Sequence, residues 1–105
     1  MHVTVDLITD PAGISLAEPD DCARFAVVVH GTGGDEDLHR ALVGASVGRM
    51  EGSEALVTVA AVRTLASRRV GSAWEADFGA MLEYARARGW LTDEADAIRA
   101  HVEWR

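Results

Sequence analysis

The feature that most constrains the fold is the uninterrupted apolar run Phe25-Ala26-Val27-Val28-Val29, which lies between Arg24 and His30. β-Branched residues favour strands, and a run without polar positions is typical of a strand that is covered on both faces. Gly31-Thr32-Gly33-Gly34 then ends the run with residues that favour a turn. We therefore expect residues 24–30 to form a strand at the centre of a sheet.

Other parts of the chain predict further strands. Residues 2–7 and 98–104 alternate apolar and polar side chains, as half-buried strands do. Ala55-Leu56-Val57 predicts a short strand. Asp10-Pro11-Ala12-Gly13 predicts a turn, and residues 14–21, which contain a proline and several acids, predict a loop. The sequence thus predicts four strands.

Three segments repeat apolar residues at helical spacing, and each carries a sign of where its helix begins or ends. The acidic run 35–37 is typical of the first turn of a helix, where carboxylates complement the helix dipole. Thr58 is a predicted N-cap for a helix over residues 59–68. A third helix lies between the capping box 72–75 and Gly89, which has the place of a C′ glycine.

The order ββαβααβ predicts an α+β two-layer sandwich. We expect a four-stranded, mostly antiparallel sheet with three helices on one face, in a single small domain over residues 1–105. The other face of such a sheet is open. If the first and last strands are neighbours, ion pairs such as Arg99 with Asp6 form across them on that face.

The charge of the chain is unevenly distributed. The net charge is −7, and residues 1–38 carry eight acids and one arginine, whereas acids and arginines balance from residue 39 onward. The chain has no basic stripe, which argues against nucleic acid and against an anionic membrane surface as partners. The acidic first third instead favours a basic protein partner.

The sequence also indicates where in the cell the protein is located. The first residues include no basic n-region of a signal peptide, and no apolar run approaches the length of a membrane span. Cys22 is the only cysteine, so no internal disulfide can form. We expect a cytoplasmic protein.

Two strings look like catalytic motifs. Gly44-Ala45-Ser46-Val47-Gly48 fits G-x-S-x-G, and the glycine run 31–34 is similar to an oxyanion segment. A nucleophile elbow joins a strand to a helix, however, and Ser46 falls at the end of a predicted helix. The glycine run also lacks the lysine and spacing of a P-loop. We therefore predict no catalytic residue.

A third cluster, His30, Asp35, Asp37 and His39, has side chains that suit zinc, manganese or iron. Its spacing matches neither H-x-x-x-H nor an EF-hand loop. We therefore interpret it first as a solvated acidic surface, and we predict no metal ligand and no cofactor.

The candidate ligand-binding residues are His30, Arg99, His101 and Glu103. We favour a non-enzymatic interaction or regulatory module, with a homodimer that forms through a sheet face or edge. The alternative is a small ligand-binding protein or enzyme that uses the open sheet face or the turn at residues 30–39. Convergence of at least two of the four side chains in a pocket favours the alternative, and a spread arrangement favours the module.

The closing third of the chain carries a resemblance to other proteins. The pattern is Trp74-Glu75-Ala76-Asp77-Phe78, then Met81-Leu82, Tyr84-Ala85 and Gly89-Trp90, then the terminal Ile98-Arg99-Ala100-His101-Val102-Glu103-Trp104. In this it resembles small uncharacterised proteins of high-GC bacteria. The resemblance implies a stand-alone domain and no particular activity.

Overall fold

The computed structural model describes residues 1–9, 11–94 and 96–105. Asp10, in a predicted turn, and Ala95 lie outside the described residues. The strands are β1 (His2–Asp6), β2 (Gly13–Ala17), β3 (Ala26–His30), β4 (Gly48–Glu51), β5 (Glu54–Thr58) and β6 (Ala97–Trp104). The helices are α1 (Asp35–Gly44), α2 (Val59–Ala66) and α3 (Trp74–Ala87). Within the described ranges, no helix has the length and apolar character of a membrane span.

The strands form one mixed sheet in the order β2-β1-β3-β6-β5-β4. β3 lies between β1 and β6 and is parallel to both. The pairs β1–β2, β5–β6 and β4–β5 are antiparallel. The expectation of four mostly antiparallel strands is therefore wrong, because the sheet has six strands and a parallel centre. It also follows that Arg99 and Asp6 are not cross-strand neighbours, since β3 separates their strands.

The two unpredicted strands, β2 and β4, lie at the edges of the sheet. Their conformation depends on pairing with a neighbouring strand more than on local sequence. Pro19 and the acids that predict a loop come after β2, and they leave Ile14 and Leu16 free to face β1 residues of the core. In β4 only Met50 packs against the core cluster, so the alternation is too short to recognise.

Helix ends test three local predictions. Thr58 is confirmed as the N-cap of α2, because its hydroxyl accepts a hydrogen bond from the amide of Ala61 at 3.1 Å. Gly89 is confirmed after α3, with φ of 76° in the left-handed region that favours glycine. The capping box 72–75 is wrong, because α3 begins at Trp74 and no side chain caps it.

The core lies between one face of the sheet and the three helices. Buried side chains alternate along β1, and with Val27 and Val29 of β3 they share one cluster with buried residues of every helix. Val28, on the opposite side of β3, is buried as well. The cluster includes Val3, Val5, Val27 and Val29 of the sheet and Leu38, Leu42, Val62 and Phe78 of the helices. The opposite side of the sheet is called the open face below, and it carries the residues that alternate with these.

One side chain contacts the backbone of each edge strand, from α1 at β4 and from the turn after α2 at β2. The backbone amide of Met50 in β4 donates a hydrogen bond to Nδ1 of His39 in α1 at 3.0 Å. The guanidinium of Arg69 donates to the backbone carbonyl of Leu16 in β2. Free backbone groups of an edge strand are the groups with which a second chain pairs. Each contact occupies one backbone group of its edge strand, and a second chain cannot pair with that group while the contact holds.

Candidate functional site

A groove of about 560 Å³ opens between α3 and the segment that joins β2 to β3. The five large apolar side chains that define this aromatic groove are Phe25, Met81, Tyr84, Trp90 and Ile98. Cys22 lies among them, and the charged residues of the lining are Asp20, Arg24, Asp77 and Arg99. A concave, mainly apolar surface with a few polar groups is the usual form of a binding site.

α3 supplies one wall of the groove because Asp77, Met81 and Tyr84 fall at i, i+4 and i+7, which places them on one side of the helix. Trp74 and Phe78 are buried in the core instead, where their rings stack with centroids 4.7 Å apart. The helix thus packs against the core through Trp74 and Phe78, and it lines the groove with Asp77, Met81 and Tyr84.

The segment between β2 and β3 supplies the opposite wall, and hydrogen bonds fix its position. The indole N–H of Trp74 donates to the carbonyl oxygen of Pro19 at 2.7 Å in a buried contact. The N-terminal amine donates to the carbonyl oxygen of Asp21 at 2.9 Å. These contacts join the loop to α3 and to the start of the chain, so the shape of the groove is set before any ligand binds.

Trp90 is held at the rim by its backbone. The left-handed conformation of Gly89 reverses the chain, and the amide of Trp90 donates to the carbonyl of Ala85 at 2.8 Å. The carbonyl of Trp90 accepts from the amide of Arg99 at 2.6 Å. Hydrogen bonds in both directions therefore orient a tryptophan whose side chain is 44% exposed.

The rim combines three residue types that dominate binding energy at protein interfaces. Tyr84, 52% exposed, and Trp90 meet edge to face, with ring centroids 5.8 Å apart. The guanidinium of Arg88 lies 4.8 Å from the Tyr84 ring centre and 6.0 Å from that of Trp90. Arg88 is not part of the lining, so it supports the two rings from outside the groove.

Charged groups of both signs surround Cys22 in the groove. Burial raises the pKa of the Cys22 thiol above its ordinary value, and the nearby charge of Asp77 raises this pKa further, whereas the N-terminal ammonium lowers it. Arg99 is already paired, since its guanidinium contacts Glu51 at 3.1 Å and Glu54 at 3.4 Å. The hydrogen bond to Glu51 raises the pKa of Arg99, which keeps it charged.

A second cleft, of about 660 Å³, lies beyond the carboxyl ends of β1 and β3. We call it the polar cleft, and it is lined by Leu7, Thr9, Thr32, Asp37, Arg40 and Gly44, with small residues between them. Asp37 accepts a hydrogen bond from the amide of Gly34 at 2.9 Å and lies 3.7 Å from the Arg40 guanidinium. Its charged side chains are therefore engaged with the turn and with each other.

The four residues predicted from sequence to bind a ligand lie on the open face. Ile98 and Ala100 belong to the core, so Arg99, His101 and Glu103 alternate onto the other side of β6, and His30 lies on the same side of the neighbouring β3. They do not converge: Glu103 pairs with Arg105 at 3.1 Å, and Arg99 reaches toward β4 and β5. Neither cleft is lined by more than one of the four.

The other motifs are accounted for by local structure. His39 contacts the Met50 amide, and among the described residues no group of three or more His, Cys, Asp and Glu side chains is placed to hold a metal ion. Ser46 follows α1 and precedes β4, with φ of 59° and its amide bonded to the carbonyl of Val43. It therefore ends a helix and does not form a strand-to-helix elbow.

The third helix was predicted from sequence, but the groove was not. Tyr84 lies near the end of α3 and Trp90 follows the helix-ending Gly89, so two aromatic side chains at one helix end were the signal that could have indicated the groove. No protein-family model, curated protein or solved structure matches this chain, so its function is argued from its own geometry.

Proposed function

We propose that the protein is a non-enzymatic interaction module that receives an apolar group of its partner in the aromatic groove. The observation that carries this proposal is the rim formed by Tyr84, Trp90 and Arg88 beside a preformed apolar surface. Exposed aromatic side chains bury large areas on binding, and rigid ones lose little conformational freedom.

A catalytic role for the groove is less well supported by its chemistry. Cys22 is the nucleophilic side chain of the lining, and burial and Asp77 raise its pKa, which disfavours the reactive thiolate. The free thiol also accords with the reducing conditions of the cytoplasm, which is where we propose that the protein acts.

The experiment is selection from a displayed library of random peptides, followed by affinity measurement on purified variants. Peptides that bind the wild-type protein should lose about tenfold or more in affinity for Trp90→Ala. Trp104→Ala is the matched control, since Trp104 is a 38% exposed tryptophan on β6, away from the groove. Equal loss in both variants, or no loss in Trp90→Ala with its fold intact by circular dichroism, would exclude the groove as the binding surface.

The polar cleft supports a second candidate function, the binding of a small polar molecule near residues 30–39. Its position is the favourable observation: ligands of open α/β sheets bind beyond the carboxyl ends of parallel strands where the connections diverge. β1 continues to β2 on one side and β3 continues through α1 toward β4 on the other. Fragment binding followed by amide chemical shifts should then perturb Thr9 and Thr32, and shifts confined to α3 would argue against it.

We further propose that any homodimer forms through the open face, because a side chain already occupies a backbone group at each sheet edge. Light scattering after size-exclusion chromatography tests self-association. If a dimer is present, His101→Glu on the exposed face of β6 should weaken it, whereas His39→Ala should not.

A further inference from the structure

We infer that the partner segment received by the aromatic groove is basic as well as apolar, with a lysine or arginine beside its large apolar side chain. This inference rests on the proposed function, because it specifies the chemistry of the segment that the same groove receives. It follows from where the unpaired charges of the groove lie.

The two acids of the groove come from opposite walls. Asp77 belongs to α3, and Asp20 belongs to the segment between β2 and β3. Among the described residues neither carboxylate forms an ion pair. Beyond the effect of burial, both carboxylates raise the pKa of Cys22, Asp77 more than Asp20, whereas the N-terminal ammonium lowers it. That ammonium is itself paired with Asp21 at 3.8 Å. A cation that lies over Cys22 therefore meets carboxylates on both sides.

The cations in and near the groove offset these two carboxylates only in part. Arg99 is paired with Glu51 and Glu54, so its charge is compensated on the open face. The charge of the N-terminal ammonium, which also acts on Cys22, is likewise compensated by Asp21. Arg24 is the remaining cation of the lining, against Asp20 and Asp77. The chain as a whole has a net charge of −7, which adds long-range attraction for a basic partner.

The positions of the apolar and acidic side chains in the groove also determine the orientation of the partner segment. The large apolar side chains Phe25, Met81, Tyr84 and Trp90 form one continuous surface beside the acids. An apolar side chain of the segment would cover these rings, and its basic neighbour would reach Asp20 and Asp77. A short extended peptide with adjacent apolar and basic residues meets both requirements.

The test uses three capped tetrapeptides, Leu-Phe-Arg-Arg, Leu-Phe-Ser-Ser and Leu-Phe-Glu-Glu, titrated into the whole protein labelled with nitrogen-15. The indole N–H signal of Trp90, assigned by its loss in Trp90→Phe, reports occupancy of the groove. At low ionic strength the arginine peptide should bind about tenfold tighter than the glutamate peptide, since two partly exposed ion pairs replace two repulsions. Salt should reduce this difference.

Matched variants separate local charge from net charge. Asp20→Asn with Asp77→Asn should remove most of the preference for arginine. Asp35→Asn with Glu36→Gln changes the net charge equally in the first turn of α1, outside the lining of the groove, and should leave the preference in place. Equal binding of all three peptides would overturn the basic segment and keep the apolar groove. Binding of none would overturn the proposed function itself. Phenethylamine binding as tightly as the arginine peptide would also overturn the inference, because it would assign the site to a free amine.

Discussion

The aromatic groove and the polar cleft have similar volumes, about 560 and about 660 Å³, but they are built differently. The groove is lined by residues 20–25, α3, Trp90 and the start of β6, which are far apart in sequence. The cleft is lined by residues of the segment that connects β1 to β2, by Thr32 and by α1. Both surfaces therefore join segments that are distant in sequence, but the groove is built on large aromatic side chains and the cleft on turns and small residues.

This difference decides what each surface can bind. The groove presents large aromatic side chains whose positions are fixed by hydrogen bonds, such as those of Trp74 and Trp90. The cleft presents threonine hydroxyls and small side chains, and its charged groups are already paired with one another. Volume alone does not distinguish the two surfaces, whereas the apolar area offered to a ligand does.

The largest expected effect is on the helix that forms one wall of the groove. Phe78→Ala should reduce the free energy of unfolding by about 3–5 kcal/mol, because Phe78 is fully buried and its ring stacks on Trp74. Urea denaturation measures this change. Val43→Ala, on the exposed surface of α1 beside the cleft, is the control and should cost far less. Similar losses in both variants would contradict the assignment of the core to this side of α3.

A second prediction concerns the backbone of the polar cleft. Gly31, which precedes Thr32 of the cleft, has φ of 117°, and an added Cβ would meet Ile8 and Leu7 at 3.3–3.4 Å, so Gly31→Ala should destabilise the fold by about 1–3 kcal/mol. Gly44 lines the cleft at a helical position where a Cβ has open space, so Gly44→Ala should stabilise the fold by about 0.5–1 kcal/mol. Thermal unfolding of the two variants should therefore shift in opposite directions, and a common direction would refute this account of the cleft.

A third substitution tests the link between α3 and the opposite wall of the groove. Trp74→Phe removes the indole donor and leaves the buried carbonyl of Pro19 without that partner, at a cost of about 1–3 kcal/mol. Hydrogen exchange should increase for amides in residues 20–25 and stay unchanged around the polar cleft. Increased exchange at both places would show that the two surfaces are not independently supported.

The helices of the fold were predictable from sequence because their signals are local. Thr58 and Gly89 act as caps through contacts within four or five residues, and the period of 3.6 identifies the buried stripe. The alternation in β6 is also local, and it placed Arg99 and His101 on one side of the strand before the neighbours of that strand were known.

The strand order and the groove were not predictable in this way. No residue of β3 indicates that its neighbours are β1 and β6, and β4 becomes a strand only by pairing with β5. The role of Glu75 was also not predictable from local sequence. It fits a capping box in sequence, but it lies 2.6 Å from Arg63 of α2, a partner that only the tertiary fold supplies.

The smallest expected effect is on the reactivity of Cys22, which reports the field in the groove without changing its shape. Alkylation requires the thiolate, so its rate rises as the pH passes through the pKa of Cys22, which burial and then Asp77 raise. Asp77→Asn should lower this pKa, move the rate profile to lower pH and speed alkylation by iodoacetamide at pH about 8, where most thiol is still protonated. The rate should stay below that of the chain unfolded in urea, because burial of the thiol persists. Asp35→Asn on α1 makes the same change in net charge and should leave the profile in place, so an equal shift in both variants would assign the effect to the whole protein and not to the groove.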